Sequence, residues 1–154
     1  MMMRFTIIYE NIVFNGQAQY IKDEYSFFYA PWNNVDFSVL IGQGYNSLDV
    51  KLKTGRVLQV TGLNPNYNWI EKELVTPVFQ RGILTVSFDE KCQEGAGVQY
   101  ANNWRTYYNY KTGWVCIGNP NCSIESKAVE FAQNTVAVID NGQLSSIWIK
   151  PQFV

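Results

Sequence analysis

The chain has 154 residues and a net charge of -1, with 47% hydrophobic, 16% aromatic and only 16% charged residues. That length fits one domain able to bury roughly 70% of its unfolded surface, and the apolar content excludes a disordered chain. The slightly acidic balance offers no positive field to phosphate backbones, which argues against nucleic acid as a partner, and the complete absence of histidine removes most familiar catalytic centres.

From Met1-Met2-Met3-Arg4 the sequence passes directly into alternation. No basic region precedes a long apolar run with a small-residue cleavage site, so neither an export signal nor a membrane span is expected. The first strand is read over Arg4 to Phe14 and the next over Tyr25 to Tyr29. Apolar residues then occupy odd positions in Val35 to Ile41 and even positions in Ser47 to Lys53, each the signature of a half-buried strand. Gly42 to Asn46 is read as the turn between them. Thr54-Gly55 leads into Arg56 to Thr61, which completes a three-stranded meander.

Helix is scarce. Asn68-Trp69-Ile70-Glu71 and Lys72-Glu73-Leu74-Val75 read as short turns capped by Asn68, confined between Pro65 and Pro77. Strands follow at Ile83 to Phe88, Trp104 to Tyr110, Trp114 to Ile117, Ala128 to Phe131, Thr135 to Ile139 and Gln143 to Lys150, with Ser126 to Gln133 open to a helical alternative. Asp140-Asn141-Gly142 and Lys111-Thr112-Gly113 are hairpin turns. About eleven short strands with turn signals every ten residues or so predict one mainly β domain over residues 1–154, an antiparallel sandwich or barrel-like fold with at most one or two short helices.

Without histidine there is no Ser-His-Asp triad, no Cys-His dyad and no His-based zinc site. Cys92, Cys116 and Cys122 are spaced too widely for a structural metal site, and an odd count suits a reducing compartment, for which the cytoplasm is expected. The turn-rich loop between Cys116 and Cys122 leaves a disulfide open under oxidising conditions. Asn121-Cys122-Ser123 is a formal glycosylation acceptor that this location would leave unused. The remaining enzyme route is a pair of carboxylates acting on a sugar bond, drawn from Asp36, Asp49, Glu71, Glu73, Asp89, Glu90, Glu94 and Glu125. Asp36 and Asp49 are expected on solvent faces of strands, with no apolar setting to raise a pKa. Gly42-Gln43-Gly44-Tyr45 lacks the lysine and helix of a phosphate loop and is read as a turn.

The densest aromatic segment is Asn102 to Trp114. As a hairpin it sets Trp104, Thr106, Tyr108 and Tyr110 on one face and Arg105, Tyr107, Asn109 and Lys111 on the other, so one face is expected in the core and the other outside. Three readings stay open: a recognition surface for protein or sugar, plain cross-strand packing, and a nucleic-acid platform with too little charge to hold a backbone. Tyr25 to Asn34 forms a second cluster whose Trp32 either anchors a partner or closes the end of the fold.

The glycine, proline and tryptophan pattern of Thr54-Gly55-Arg56-Val57-Leu58, Gly62-Leu63-Asn64-Pro65 with Trp69, Pro77, Gly82-Ile83-Leu84-Thr85-Val86 and Leu144 to Pro151 resembles small bacterial immunity proteins of polymorphic toxin systems over about a third of the chain. Such proteins share no active site. The resemblance implies a cytoplasmic protein that binds and neutralises a cognate toxin; no cofactor is expected, and net charge and hydropathy make neither nucleic acid nor membrane an expected partner. Interface anchors are expected among Trp104, Arg105, Tyr107, Tyr110 and Trp114, with Trp32 and Tyr45 as second choices. Against a cationic nuclease, Asp89, Glu90 and Glu94 would mimic substrate phosphates. The alternative is a carbohydrate-binding module, in which exposed rings stack on sugars.

Overall fold

The structure is a computed structural model that describes every residue except Gly44. It is mainly β, a curled, half-barrel mixed sheet. The strands are β1 (Met3–Tyr9), β2 (Gln17–Ile21), β3 (Ser26–Ala30), β4 (Phe37–Ile41), β5 (Asn46–Lys51), β6 (Arg56–Leu63), β7 (Ile70–Glu71) and β8 (Gln80–Phe88). There follow β9 (Gly97–Gln99), β10 (Thr106–Asn109), β11 (Trp114–Gly118), β12 (Lys127–Ala132), β13 (Thr135–Asp140), β14 (Gln143–Ile149) and β15 (Gln152–Phe153). Two short 3-10 turns, Lys22–Glu24 and Asn66–Asn68, are the helical segments among the described residues. None is long and apolar enough to cross a membrane.

The expected meander forms as β4-β5-β6, and its odd-even alternation places Phe37, Val39, Ile41, Leu48 and Val50 in the core. The β10–β11 and β13–β14 hairpins form at the expected turns, with Asn141 and Gly142 both at positive φ. Strands β12 and β13 are buried along nearly their whole length because core lies on both sides. The main cluster fills the inside of the curl, and a second one, around Trp148, Cys116, Val136 and Val138, lies beneath Leu74 and Phe79. A sheet covered on both faces needs continuous apolar runs, which is what Val136 to Ile139 supply.

Several expectations are corrected. Strand β1 stops at Tyr9, and residues 10–16 form an irregular connection before β2, whose Ala18 and Tyr20 are the buried residues between Gln17, Gln19 and Ile21. The expected turns at 68–75 are replaced by the strand β7 and irregular chain, and Ser126 to Gln133 is strand β12 for most of its length, without helix. The sheet is antiparallel-rich, as expected, and adds parallel pairs: β7 with β10, β12 with β8, β15 with β2 and β9 with β4. These pairings join segments far apart in sequence, so no turn signal announces them. Of the turn Gly42 to Tyr45, Gly44 lies outside the described residues.

Asp49 does not face solvent. It is 4% exposed, because the β5–β6 register shifts between Asp49 and Val50 and the 31–36 segment closes over that face. Asn33 ties the segment down through two bonds to Gln59 Oε1, of 3.0 and 3.1 Å. The carboxylate accepts from Ser47, Gln59 and Thr61 at 2.7, 2.9 and 3.0 Å. Burial raises its pKa above the ordinary 3.8, with those three donors opposing. Asp36 is half-buried, accepting the Leu52 N–H at 2.8 Å, with Lys51 Nζ at 3.8 Å.

Candidate functional site

A tryptophan and an asparagine build the site. After β6 the chain turns at Asn64-Pro65, runs through the Asn66–Asn68 turn and drives Trp69 inward. The Trp69 ring stacks on Phe27 at 5.8 Å and meets Tyr20 and Tyr108 edge-on or tilted at 4.9 and 5.3 Å. Its Nε1 donates to Asn64 Oδ1 at 2.9 Å. A ring packed on so many others fixes the loop that carries it.

Asn64 links three strands through that loop. Its Nδ2 donates to Asn46 Oδ1 in β5 and to Thr106 Oγ1 in β10, both at 2.9 Å. Its N–H donates to the Tyr25 carbonyl at 2.7 Å, and its own carbonyl accepts the Tyr20 hydroxyl at 2.7 Å. Burial pushes the Tyr20 phenol up to about 12, so this hydroxyl keeps its proton at any physiological pH. Asn46 in turn donates Nδ2 to the Gly62 carbonyl at 3.2 Å. Networks so fully satisfied are rigid, since moving any member strands another polar group.

Above this network lies a cleft of about 560 Å³. Asn46, Asn64 and Trp69 line it from β5 and the loop after β6, Trp104, Arg105 and Thr106 from the approach to β10, and Gln43 and Tyr45 from the β4–β5 loop. Tyr45 and Leu63 are 59% and 43% exposed, and Arg105 is exposed. Arg105 makes no ion pair among the described residues. Two glycines permit the close fit. A Cβ on Gly62, at φ 115°, would land on the Tyr45 carbonyl, and one on Gly118, at φ 109°, would lie 2.9 Å from the Trp104 ring.

Backbone strain gathers at this end of the molecule. Besides the hairpin asparagines Asn134 and Asn141, the non-glycine residues at positive φ are Gln43, in the cleft wall, and Tyr25, whose carbonyl holds Asn64. Such conformations cost of order 1–3 kcal/mol and persist where the surroundings over-determine them, often at functional sites. Tyr25 also packs edge-on against the exposed Tyr67 at 5.5 Å.

The anchors expected from sequence part company. Tyr45, Trp104 and Arg105 meet at the cleft, Trp104 half-buried against Tyr100. Tyr107 lies on the other side of the sheet with the Trp148 cluster, beneath Lys72 Nζ at 5.6 Å, and Trp114 is half-buried there against Phe79 at 5.9 Å. Tyr110 is exposed at the hairpin tip, and Trp32 is exposed but stacked on Phe28 at 5.5 Å. Neither hairpin face is simply outside. Trp104 and Tyr108 join one cluster, Tyr107 joins the other, and Asn109 is buried, its Oδ1 accepting the Lys111 N–H at 3.1 Å.

Asp89, Glu90 and Glu94 are exposed near the end of β8, outside the cleft lining. All three cysteines are free thiols: Cys92 half-buried, Cys116 buried and Cys122 exposed. Burial pushes the Cys116 thiol far up, so it stays protonated within the Trp148 cluster. Among the described residues no group of His, Cys, Asp and Glu could hold a metal ion.

Asn46, Asn64, Trp69 and Ile70 are site residues that the sequence reading did not select. The available signal was Asn64-Pro65 followed by Trp69 in a stretch with no strand period. Comparison with protein-family models, with curated proteins and with solved structures gave no match.

Proposed function

We propose that this chain is a non-catalytic binding protein that grips a partner protein at the cleft, acting as an immunity-type inhibitor of a bacterial toxin. The observation that carries the reading is the pairing of exposed Tyr45 and Arg105 with a floor locked by Asn64. Tyrosine and arginine are the residue types that dominate interface energetics, and a pre-organised floor lowers the ordering cost of binding. Inhibition is stoichiometric, needs no cofactor and assigns no catalytic residue.

The test is to look for a toxin-like domain encoded beside the gene for this chain and to co-express the two. The intact chain should restore growth. Tyr45→Ala combined with Arg105→Ala should weaken binding by roughly 30-fold or more, the effect of losing a hot spot worth about 2 kcal/mol. A chain that gives no protection, or a double variant that binds as tightly as the parent, refutes the reading.

A carbohydrate ligand is the second reading, favoured by a cleft of small-ligand size that sets Tyr45 and Trp104 near the amide of Asn68. Against it, the Asn64 amide spends both its donors within the protein and the Asn46 amide spends one. Glycan-array binding with no protein partner would favour the sugar.

A further inference from the structure

Strand β1 has one bonded edge and one open edge. Glu10 donates its N–H to the Arg81 carbonyl and Asp89 donates to the Met2 carbonyl, each at 3.1 Å. Even-numbered residues of this segment therefore turn their backbone groups towards β8. In an antiparallel ladder the N–H and C=O of one residue point to the same side and alternate along the strand, so Met3, Phe5, Ile7 and Tyr9 turn theirs away. The first of these outward groups are engaged: Phe5 donates to the Gly142 carbonyl at 2.8 Å, and the Met3 carbonyl accepts Gln143 Nε2 at 3.0 Å.

Beyond that point no strand among the described residues covers the edge, and the Tyr9 hydroxyl reaches across to donate to the Ala128 carbonyl at 3.1 Å. Among the described residues β1 pairs with β8 alone, so the Phe5 carbonyl, both Ile7 groups and the Tyr9 N–H have no strand beside them. They face a groove of about 1100 Å³ whose opposite bank includes Lys127, Ile139 and Asp140. Two of the usual guards of an edge are absent, since the seven residues of β1 contain no proline and their register with β8 has no bulge; the charges beside it include Arg4 and Lys127.

The far bank decides what fits. A strand laid beside β1, roughly 4.8 Å away, would lie in a groove banked on its far side by Lys127 and Ile139, whereas a second sheet would have to carry its neighbouring strands past that bank. A single extended chain therefore suits the groove better than another copy of this fold. Its alternate residues would fall beside Phe5, which is buried, and Ile7, which packs on the core, so apolar side chains are wanted at every second position. The groove also continues towards the cleft. Gln143 lines both it and a neighbouring hollow of about 690 Å³, and Trp104 lines that hollow and the cleft.

The geometry points to a strand-addition site, in which an extended segment of a partner polypeptide, apolar at alternate positions, joins the open edge of β1 from Phe5 to Tyr9. Main-chain bonds supply affinity in this mode and the alternate side chains supply selectivity. The site rests on backbone direction and stands independently of the cleft.

Amide hydrogen exchange on the full chain is the first measurement. The Ile7 and Tyr9 amides should exchange at least about tenfold faster than those of Thr6 and Ile8, which bond to β8. Equal protection at low protein concentration overturns the site, because the edge is then already covered. Protection that rises with concentration alongside a dimer in sedimentation also overturns it, in favour of a second copy. The second measurement uses a random dodecapeptide library displayed on phage and panned on the full chain. Enriched peptides should slow the Ile7 and Tyr9 amides, and Ile7→Pro should weaken them about tenfold, since it deletes an outward N–H that no β1–β8 bond uses. Failure of the library to enrich, or peptides that bind while those amides stay fast, overturns the proposal. Should Ile7→Pro not fold, exchange with the selected peptide on the unaltered chain decides alone.

Discussion

Asn64→Asp changes one atom of the hub and reverses what that atom can do. The native amide nitrogen donates two bonds of 2.9 Å, to Asn46 Oδ1 and Thr106 Oγ1. A carboxylate oxygen in its place donates nothing and opposes Asn46 Oδ1 acceptor to acceptor. Thr106 recovers one bond by turning its own O–H round. Asn46 cannot flip to help, because its amide nitrogen is held by the Gly62 carbonyl. The loss of one bond, about 1 kcal/mol, and an opposed acceptor pair, about 1–3 kcal/mol, give a cost of about 2–4 kcal/mol at neutral pH. With a urea slope of roughly 2 kcal/mol per molar, the unfolding midpoint should fall by roughly 1–2 M at unchanged slope. The new carboxyl is half-buried and faces Asn46 Oδ1, which outweighs the Trp69 and Thr106 donors, so its folded pKa is raised above the unfolded value of about 3.9. Stability linked to a raised pKa is present below the unfolded value and lost as pH rises through the folded one, so the deficit should shrink as pH falls from 7 towards 4. A midpoint within roughly 0.3 M of the parent, or a deficit independent of pH, would refute the view of Asn64 as the hub.

Asp49→Asn should be neutral or stabilising by about 1–2 kcal/mol at pH 7, since an amide can accept from Gln59 and Thr61 while donating to Ser47, and no buried charge remains. The native carboxyl has a raised pKa, so its contribution is present below 3.8 and is lost as pH rises through the folded value; the variant should flatten that part of a thermal stability profile, and strong destabilisation at pH 7 would contradict this. Gly118→Ala combines a positive φ with contacts of 2.8 Å to the Ser145 carbonyl and 2.9 Å to the Trp104 ring, so it should cost about 2 kcal/mol or more and alter tryptophan fluorescence. An unchanged melting temperature would show that Trp104 is not seated against β11.

Local pattern accounts for what the sequence reading got right and for where it stopped. The alternation of Val35 to Ile41 set which side chains of β4 are buried, and Asn141-Gly142 set a hairpin, because both are decided within a few residues. The aromatic hairpin was found, but its solvent face was not. Tyr107 meets a second core supplied by Leu74 and Phe79, residues that carry no strand period. Asp49 was misplaced for a related reason, since the residues that bury it arrive from the 31–36 segment and a bulge displaces its register. The cleft was half legible: Tyr45, Trp104 and Arg105 were named as anchors, while Asn46 and Asn64 look like ordinary turn asparagines until their distances are known.

By itself the sequence determined a β-rich chain without histidine chemistry, because composition and period-two patterning act residue by residue. The tertiary structure alone decided the four parallel pairings, the two-sided burial of β12 and β13, the open edge of β1 and the convergence of Asn46, Asn64 and Thr106. Each of these depends on which distant segment comes to lie alongside, and that choice is made by long-range burial and backbone bonding that no local window contains.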